Sequence, residues 1–170
     1  MVTQSTTPKD AIAAAGPSAS RSSPSVTATL TNGHARLTAG SFTWEADLPG
    51  SLGGSGLAPS PTAYLLGALA GCAVAFMRDT LAPEFGVTIE DVRATASCTS
   101  DARGLVGLDG VAPDLADLRI SIDVVSPDPA ERTEPMLAAW RSRCPILIAL
   151  VKPNDVTVET SASATPAARS

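Results

Sequence analysis

The feature that most constrains this chain is a helix-forming stretch without a single charge, residues 64–77. Ser60 is a favourable N-cap before it, and Pro61 suits the first helical position, where no backbone N–H is needed. Because apolar or small residues occupy every face, such a helix is covered by other elements rather than lying on a surface. The stretch is shorter than the roughly 20 apolar residues that a bilayer requires. It is therefore predicted to be a central core helix, and it carries Cys72.

Composition and charge narrow the class of function. The chain has 170 residues, a single-domain size, and 44% of them are hydrophobic. A net charge of −5 disfavours nucleic acid and anionic membrane surfaces as partners. Three cysteines without a CxxC pair, and no signal peptide, predict a protein of the reducing cytoplasm. The single histidine, His34, cannot form a zinc site with such widely spaced cysteines, so neither a metal nor a cofactor is predicted.

The hydrophobic pattern predicts one folded domain with a tail at each end. Residues 1–25 and 161–170 lack a periodic apolar pattern, so both are predicted to be disordered tails of a domain at 26–160. Period-2 alternation predicts a three-stranded meander at about 26–48, and Asn32-Gly33 favours a type I′ hairpin turn. The residues of its third strand that are expected to face inward are Phe42, Trp44, Ala46 and Leu48.

Further strands are predicted after the central helix, which is expected to end near Leu81 because a proline and a glycine follow. Alternating patterns predict strands at about 87–98 and 118–124, and a short last strand at 156–158. The strands cluster before and after a helix instead of alternating with helices. This order is typical of an α+β fold.

A second helix is predicted after Pro129. Pro145 interrupts it directly after Cys144, so the helix is expected to be kinked or restarted there. Arg141 and Arg143, near this break, are interpreted as a solvated helix end.

The cysteines are the candidate reactive groups. Cys98 falls on the inward face of a predicted strand and is interpreted as a packing residue. Cys72 and Cys144 lie on the two helices, so their sulfurs could meet if the helices pack together. The simpler alternative is that all three are small buried hydrophobic residues, and for an arbitrary cytosolic protein it is favoured by roughly two to one.

The sequence around Cys72 and Cys144 resembles the two signatures of the OsmC/Ohr family, the osmotically inducible protein C and organic hydroperoxide resistance proteins. The resemblance covers about residues 26–160. It rests on Ser60-Pro61 and residues 65–72 and 86–89 for the first signature, on Cys144-Pro145, Pro153 and residues 156–158 for the second, and on the loop at 49–54.

This resemblance implies a two-layer α+β fold with antiparallel sheets packed around a central buried helix, intertwined as a homodimer with active sites at the subunit interface. Members of the family reduce organic or inorganic hydroperoxides with a pair of cysteines. By this resemblance Cys72 attacks the peroxide, and Cys144 resolves the resulting sulfenic acid as a disulfide. The implied partners are a small hydroperoxide, a thiol reductant and a second copy of the chain.

Two charged positions of the family's peroxidase branches are uncharged here. Those branches carry an arginine on the first hairpin and a glutamate ten residues before the reactive cysteine, and the corresponding positions are Thr31 and Thr62. A buried thiol without a nearby cation has a raised pKa and reacts slowly. Arg36 and His34 are the alternative cations on the hairpin, and neither is individually favoured.

Two functions therefore remain open at the level of sequence. The first is a cysteine-based peroxidase, either weak or tuned to an unusual hydroperoxide. The second is a non-catalytic dimer that binds a small molecule, or senses redox state, through a cysteine-lined pocket. A cation within about 4–6 Å of the Cys72 sulfur would favour the first.

Overall fold

The computed structural model describes residues 7–152 and 154–162 and has an α+β architecture with two antiparallel sheets. The first sheet consists of the first three strands, and the second pairs the last two. The elements are α1 (Pro8–Ala19), β1 (Thr27–Thr31), β2 (His34–Ala39), β3 (Phe42–Ala46), α2 (Pro61–Phe76), a π-helical segment (Met77–Leu81), α3 (Ala82–Phe85), β4 (Asp91–Ser100), α4 (Ala102–Leu105), β5 (Leu115–Val125), α5 (Ala130–Arg143) and α6 (Pro145–Val151).

The predicted meander is confirmed in strand order and in its first turn. β1 pairs with β2 up to Thr31 opposite His34, and Asn32 and Gly33 between them both have positive φ, at 52° and 89°. Both central residues of a type I′ turn require that conformation. The predicted inward face of β3 is covered only in part, since Ala46 is 5% exposed whereas Phe42 is 74% exposed. A single chain therefore leaves much of this sheet face open.

The central helix is confirmed at its start and is longer than predicted at its end. The Ser60 hydroxyl accepts the N–H of Ala63 as an N-cap. Helical structure then continues through the π segment and α3, and it ends only at Gly86, which has a φ of 60°. The expected end near Leu81 is wrong because Pro83 lies in the first turn of α3, where its missing N–H costs no hydrogen bond. The whole run is therefore one rod from Pro61 to Phe85.

This run is long and apolar enough to cross a membrane by length and composition alone. Four of its side chains, however, are completely buried inside the protein, at positions four residues apart. They pack with residues of α5 and with Cys144 in one hydrophobic cluster. One face of the rod is thus the core of the fold. The four buried residues are Leu69, Ala73, Met77 and Leu81.

β4 and β5 form a long antiparallel ribbon beside the central helix. Their register runs from Asp91 opposite Val125 to Ser100 opposite Leu115, with one irregularity between Ser97 and Thr99. The predicted alternation is confirmed in β5, where every second residue from Leu118 onward is partly covered. These half-buried residues pack against the helical cluster, so the ribbon and the helices form two layers.

The predicted last strand is not present. Residues 154–162 have no regular secondary structure, and Val156 and Val158 are 79% and 77% exposed. An alternating pattern becomes a strand only where a neighbouring edge supplies backbone partners. Within the described residues of one chain, this segment pairs with no such edge.

The N-terminal region also differs from the prediction of a disordered tail over residues 1–25. Pro8–Ala19 is helical, with non-helical backbone at Gly16. Its start is fixed by a capping box, in which the Thr7 hydroxyl accepts the Asp10 N–H while the Asp10 carboxylate accepts the Thr7 N–H. Lys9 then pairs with Glu84 of α3 at 2.9 Å. The prediction for residues 1–6, and for 163–170 at the other end, lies outside the described residues.

Removal of residues 1–22 and 164–170 should change the melting temperature by less than about 5 °C, the shift expected for a loss of roughly 1–2 kcal/mol. The physical reason is that α1 buries no side chain, and its Lys9 is a largely exposed partner. Exposed ion pairs contribute about 0–1 kcal/mol. Calorimetry of the full and truncated chains measures the shift. A larger drop would show that a terminal segment packs on the core.

Candidate functional site

The break predicted at Pro145 is present and places Cys144 between two helices. α5 ends at Arg143, α6 begins at Pro145, and Cys144 has an extended backbone with φ −65° and ψ 112°. It acts as the N-cap of α6, since its sulfur accepts the N–H of Leu147 at 3.5 Å. The chain turns at this residue, so its side chain is directed from the helix junction into the core cluster.

Cys72 lies within α2. The two cysteines are brought together because α2 packs against α6, while the π segment and α3 that continue α2 pack against α5. The two Sγ atoms lie 3.2 Å apart, within hydrogen-bonding distance of each other. A disulfide bond is about 2.05 Å long, so the sulfurs form a reduced pair that must approach by roughly 1 Å to become bonded. The sequence predicted that both residues matter, and the structure places them in contact.

The two sulfurs differ in access to solvent. Cys144 is fully buried at 0% exposure, whereas Cys72 is only partly covered. A small molecule arriving from solvent therefore meets Cys72 before it can reach Cys144. The family resemblance implies that Cys72 attacks and Cys144 resolves, and that order stays a prediction.

The surroundings of Cys72 oppose ionisation of its thiol. Burial, followed by the hydrogen bond and charge interaction with Cys144, raises the pKa of Cys72 to about 11. The backbone N–H of Ile146 acts in the opposite direction and lowers this pKa. Among the described residues, no cationic side chain contributes to the pKa of Cys72. A single chain thus holds this cysteine as a neutral thiol at neutral pH.

The hairpin cations do not act on the thiol within one chain. His34 Nε2 lies 3.3 Å from Glu45 Oε1, and Arg36 lines a groove with Trp44 on the same sheet. Thr62 lies in the first turn of α2, ten residues before Cys72, which is about 15 Å along a helix. Residues 7–152 and 154–162 therefore supply no substitute within one chain for the two charges that the sequence lacks.

The loop before α2 is built around a buried carboxylate. Asp47 is 7% exposed and accepts hydrogen bonds from the Ser55 hydroxyl and from the N–H groups of Leu48, Ser55 and Leu57. These bonds, that from the Ser55 hydroxyl first, lower the pKa of Asp47 to about 2. Gly54 packs so closely that an added Cβ would lie 1.9 Å from the Leu48 carbonyl oxygen. The loop at 49–54 thus has a conformation that requires glycine.

Cys98 lies on the half-buried face of β4 but is not among the residues of that face that pack against the core cluster, so its role in packing stays a prediction. It coincides with the irregularity in the β4–β5 register between Ser97 and Thr99. Within residues 7–152 and 154–162, no group of three or more His, Cys, Asp or Glu side chains could hold a metal ion. The candidate site therefore consists of the Cys72–Cys144 pair.

A cluster of charges beside the pair was missed at the level of sequence. Glu84 accepts Arg143 at 2.7 Å and Lys9 at 2.9 Å, and its side chain is only 12% exposed. Arg143, interpreted above as part of a solvated helix end, is exposed as expected, but it also pairs with Glu84 and directly precedes Cys144. The sequence did not reveal this cluster because the central helix was expected to end near Leu81, and Glu84 lies beyond that residue.

Thiol oxidation at Cys72 should accelerate steeply with pH. Because only the thiolate is nucleophilic and the pKa is about 11, the thiolate fraction rises about tenfold per pH unit below that value. The expected result is roughly a hundredfold increase in rate between pH 7 and pH 9, measured by stopped-flow oxidation of the reduced wild-type protein, which keeps Cys144, with an organic hydroperoxide. A plateau below pH 8 would show that a cation reaches Cys72 in solution.

Comparison with known proteins places this pair in a family context. The sequence profile described as OsmC-like protein matches residues 53–159, which include both cysteines. An OsmC-like protein from Mycoplasma pneumoniae has a similar structure, with 20% identity, a TM-score of 0.63, and coverage of 76% of this chain and 87% of the other. A second, from Legionella pneumophila, is described as an organic hydroperoxide resistance protein OsmC and predicted redox protein. It shows 18% identity and a TM-score of 0.55, covering 76% of this chain and 90% of that one.

At this level of identity the two structures establish the shared fold. A search of proteins with curated function gave no match.

Proposed function

This chain belongs to the OsmC-like protein family, and we propose that it is a cysteine-based hydroperoxide reductase in which Cys72 attacks and Cys144 resolves. The observation that carries the proposal is the 3.2 Å separation of the two sulfurs. The name of the Legionella pneumophila protein, an organic hydroperoxide resistance protein, supports a hydroperoxide as substrate. Three free cysteines suit the reducing cytoplasm, where thiol reductants are available.

The proposed reaction has three balanced steps. The Cys72 thiolate forms a bond to one peroxide oxygen while the O–O bond breaks, and the other oxygen leaves and is protonated to an alcohol. The Cys144 sulfur then attacks the sulfenic acid on Cys72, and its hydroxyl leaves as water when the disulfide forms. Two equivalents of an external thiol, or one dithiol, reduce the disulfide and regenerate both thiols.

The uncovered faces of the molecule support a homodimer. The sheet of β1–β3 makes its main contacts within itself, and its packing on the helices of the same chain is slight. A groove of about 560 Å³ lies between this sheet and α2, and it is almost entirely apolar. Gly71 and Ala75 of α2 are exposed as well, which suits close contact with another backbone. The groove is lined by Val26, Leu37, Trp44, Tyr64, Gly67 and Ala68.

The chain is accordingly expected to be a dimer at micromolar concentration, with the α2 helices near its centre. The reason is that one chain leaves Phe42 and Leu30 of the sheet 74% and 84% exposed, more apolar surface than a soluble monomer usually shows. Light scattering after size-exclusion chromatography should give twice the chain mass of 17.2 kDa. A monomer at this concentration would contradict the expectation.

A specific observation favours a second candidate, a non-catalytic dimer that binds a small molecule or senses redox state. The pKa of Cys72 is about 11, and the two charged family positions are Thr31 and Thr62. A thiol of that kind reacts slowly with peroxide but still forms a disulfide with its neighbour when oxidant accumulates. The rate of peroxide turnover distinguishes the peroxidase from the non-catalytic dimer.

The test mixes reduced protein with an organic hydroperoxide and follows thiol loss and peroxide consumption together. The proposal expects consumption of one peroxide per chain without reductant, and continued consumption when a dithiol is added. Oxidation that stops after one equivalent even with excess dithiol would support the non-catalytic candidate. Absence of any thiol loss would overturn the proposal.

A further inference from the structure

Glu84 forms an ion pair that links the helical rod carrying Cys72 to α5, the helix that ends directly before Cys144. It is the next-to-last residue of the helical rod that carries Cys72, and Arg143 is the last residue of α5, directly before Cys144. The Glu84 carboxylate contacts Arg143 Nη1 at 2.7 Å, and the Arg143 guanidinium lies 5.9 Å from the centre of the Phe85 ring. One carboxylate thus ties the end of one helix to the residue that precedes the second cysteine.

The carboxylate end of this tie is more shielded from solvent than its cationic ends. The Glu84 side chain is 12% exposed, whereas the Arg143 and Lys9 side chains are 44% and 66% exposed. Lys9 of α1 contacts its other oxygen at 2.9 Å, so both oxygens are bonded to cations. Arg143 first, and then Lys9, hold the pKa of Glu84 below its ordinary value, and the carboxylate is therefore charged at neutral pH.

The position of the tie coincides with the hinge that disulfide formation must use. Cys144 is the non-helical residue between α5 and α6, and its sulfur must approach Cys72 by roughly 1 Å to become bonded. Because the ion pair holds Arg143 in place, it also holds the carboxyl-terminal end of α5. The Cys144 sulfur therefore stays at the same short distance from the Cys72 sulfur before the disulfide forms.

We propose that Glu84 is a positioning residue which, through Arg143, holds Cys144 within bonding reach of Cys72. Its effect is on the stability of the disulfide and not on the attack on peroxide, because Glu84 contacts neither sulfur among the described hydrogen bonds and ion pairs. This inference builds on the proposed function, yet it concerns the pair itself and can be measured without peroxide.

The experiment equilibrates the full-length protein with mixtures of reduced and oxidised glutathione and measures the fraction with a Cys72–Cys144 bond. In this exchange the dithiol and one glutathione disulfide give the protein disulfide and two glutathiones. Glu84→Gln and Arg143→Gln should each lower the equilibrium constant about tenfold, which corresponds to about 30 mV. The double variant should lower it no further, since both changes remove the same contact.

Matched controls separate positioning from a general loss of structure. Arg141→Gln lies in the same last turn of α5 and Glu134→Gln on its exposed surface, and neither residue forms an ion pair within the described residues. Both should leave the equilibrium constant unchanged. Arg143→Lys, which keeps the charge, should retain more of the wild-type constant than Arg143→Gln.

The inference is overturned if Glu84→Gln lowers the melting temperature but leaves the equilibrium constant at the wild-type value. It is also overturned by additive effects in the double variant, or by a wild type that forms no disulfide at any glutathione ratio. A wild type that does not consume peroxide, with variants that still shift the constant, would instead remove the proposed function and leave the inference standing.

Discussion

Cys72→Ser is expected to abolish peroxide consumption completely. Only a sulfur nucleophile that meets the O–O bond can break it, and Cys72 is the partly exposed member of the pair. Cys144 cannot take over, because it is fully buried. The loss should therefore reach the detection limit of an assay that follows peroxide directly, at least a hundredfold below the wild type.

Cys98→Ser is the matched control for this variant. It replaces another half-buried cysteine with the same residue, but in a different element, the strand β4. Consumption should remain at the wild-type rate. If Cys72→Ser retains wild-type consumption, Cys72 is not the attacking residue.

Cys144→Ser is expected to preserve the first chemical step and to prevent the second. Peroxide should be consumed once per chain and then stop, because the sulfenic acid on Cys72 no longer has a sulfur 3.2 Å away to attack it. With a dithiol present, the steady-state rate should fall by an order of magnitude or more, unless the reductant reaches Cys72 directly.

The measurement uses an electrophilic trap specific for sulfenic acid, followed by mass spectrometry of the Cys72 peptide. One label per chain is expected in Cys144→Ser, and far less in the wild type, where the disulfide forms first. Equal labelling of the two proteins would show that Cys144 does not resolve the intermediate.

Local sequence rules predicted the elements whose causes lie close together in the chain. The Asn32-Gly33 turn, the Ser60 cap and the break at Pro145 are each fixed by a few adjacent residues, and all three are present. The meeting of the two sulfurs follows from helix packing. The sequence could only state that they would touch if the helices packed.

Where prediction was wrong, a contact between distant segments or a missing partner decided the outcome. The central helix continues past Leu81 because a π turn carries the chain into α3 and places Pro83 in its first turn. The N-terminal segment is helical and is linked to the rest of the chain through Lys9 and Glu84, 75 residues apart. The alternation at 156–158 predicts a strand, but among the described residues this segment pairs with no sheet edge.

The charges around Cys72 are the feature of the candidate site that the sequence predicted least well. The sequence identified the two family positions, Thr31 and Thr62, as uncharged, and the part of the chain that the structure describes adds no cation that acts on the thiol. Arg36 and His34 lie on the sheet whose face is partly uncovered in one chain, and the proposed dimer would place hairpin residues of one copy near the cysteines of the other. The raised pKa of Cys72 in one chain is therefore linked to the dimer proposal, since a cation from the second copy would lower that pKa.

The central claim, that Cys72 and Cys144 act as one redox pair, is tested most directly by mapping the disulfide in the oxidised wild type. Reduced protein is treated with one equivalent of an organic hydroperoxide, remaining thiols are blocked, and the non-reduced digest is analysed by mass spectrometry. The account predicts a Cys72–Cys144 cross-linked peptide as the main oxidised species, with Cys98 blocked as a free thiol. Oxidised protein without that bond, or with a disulfide that involves Cys98, would contradict the account.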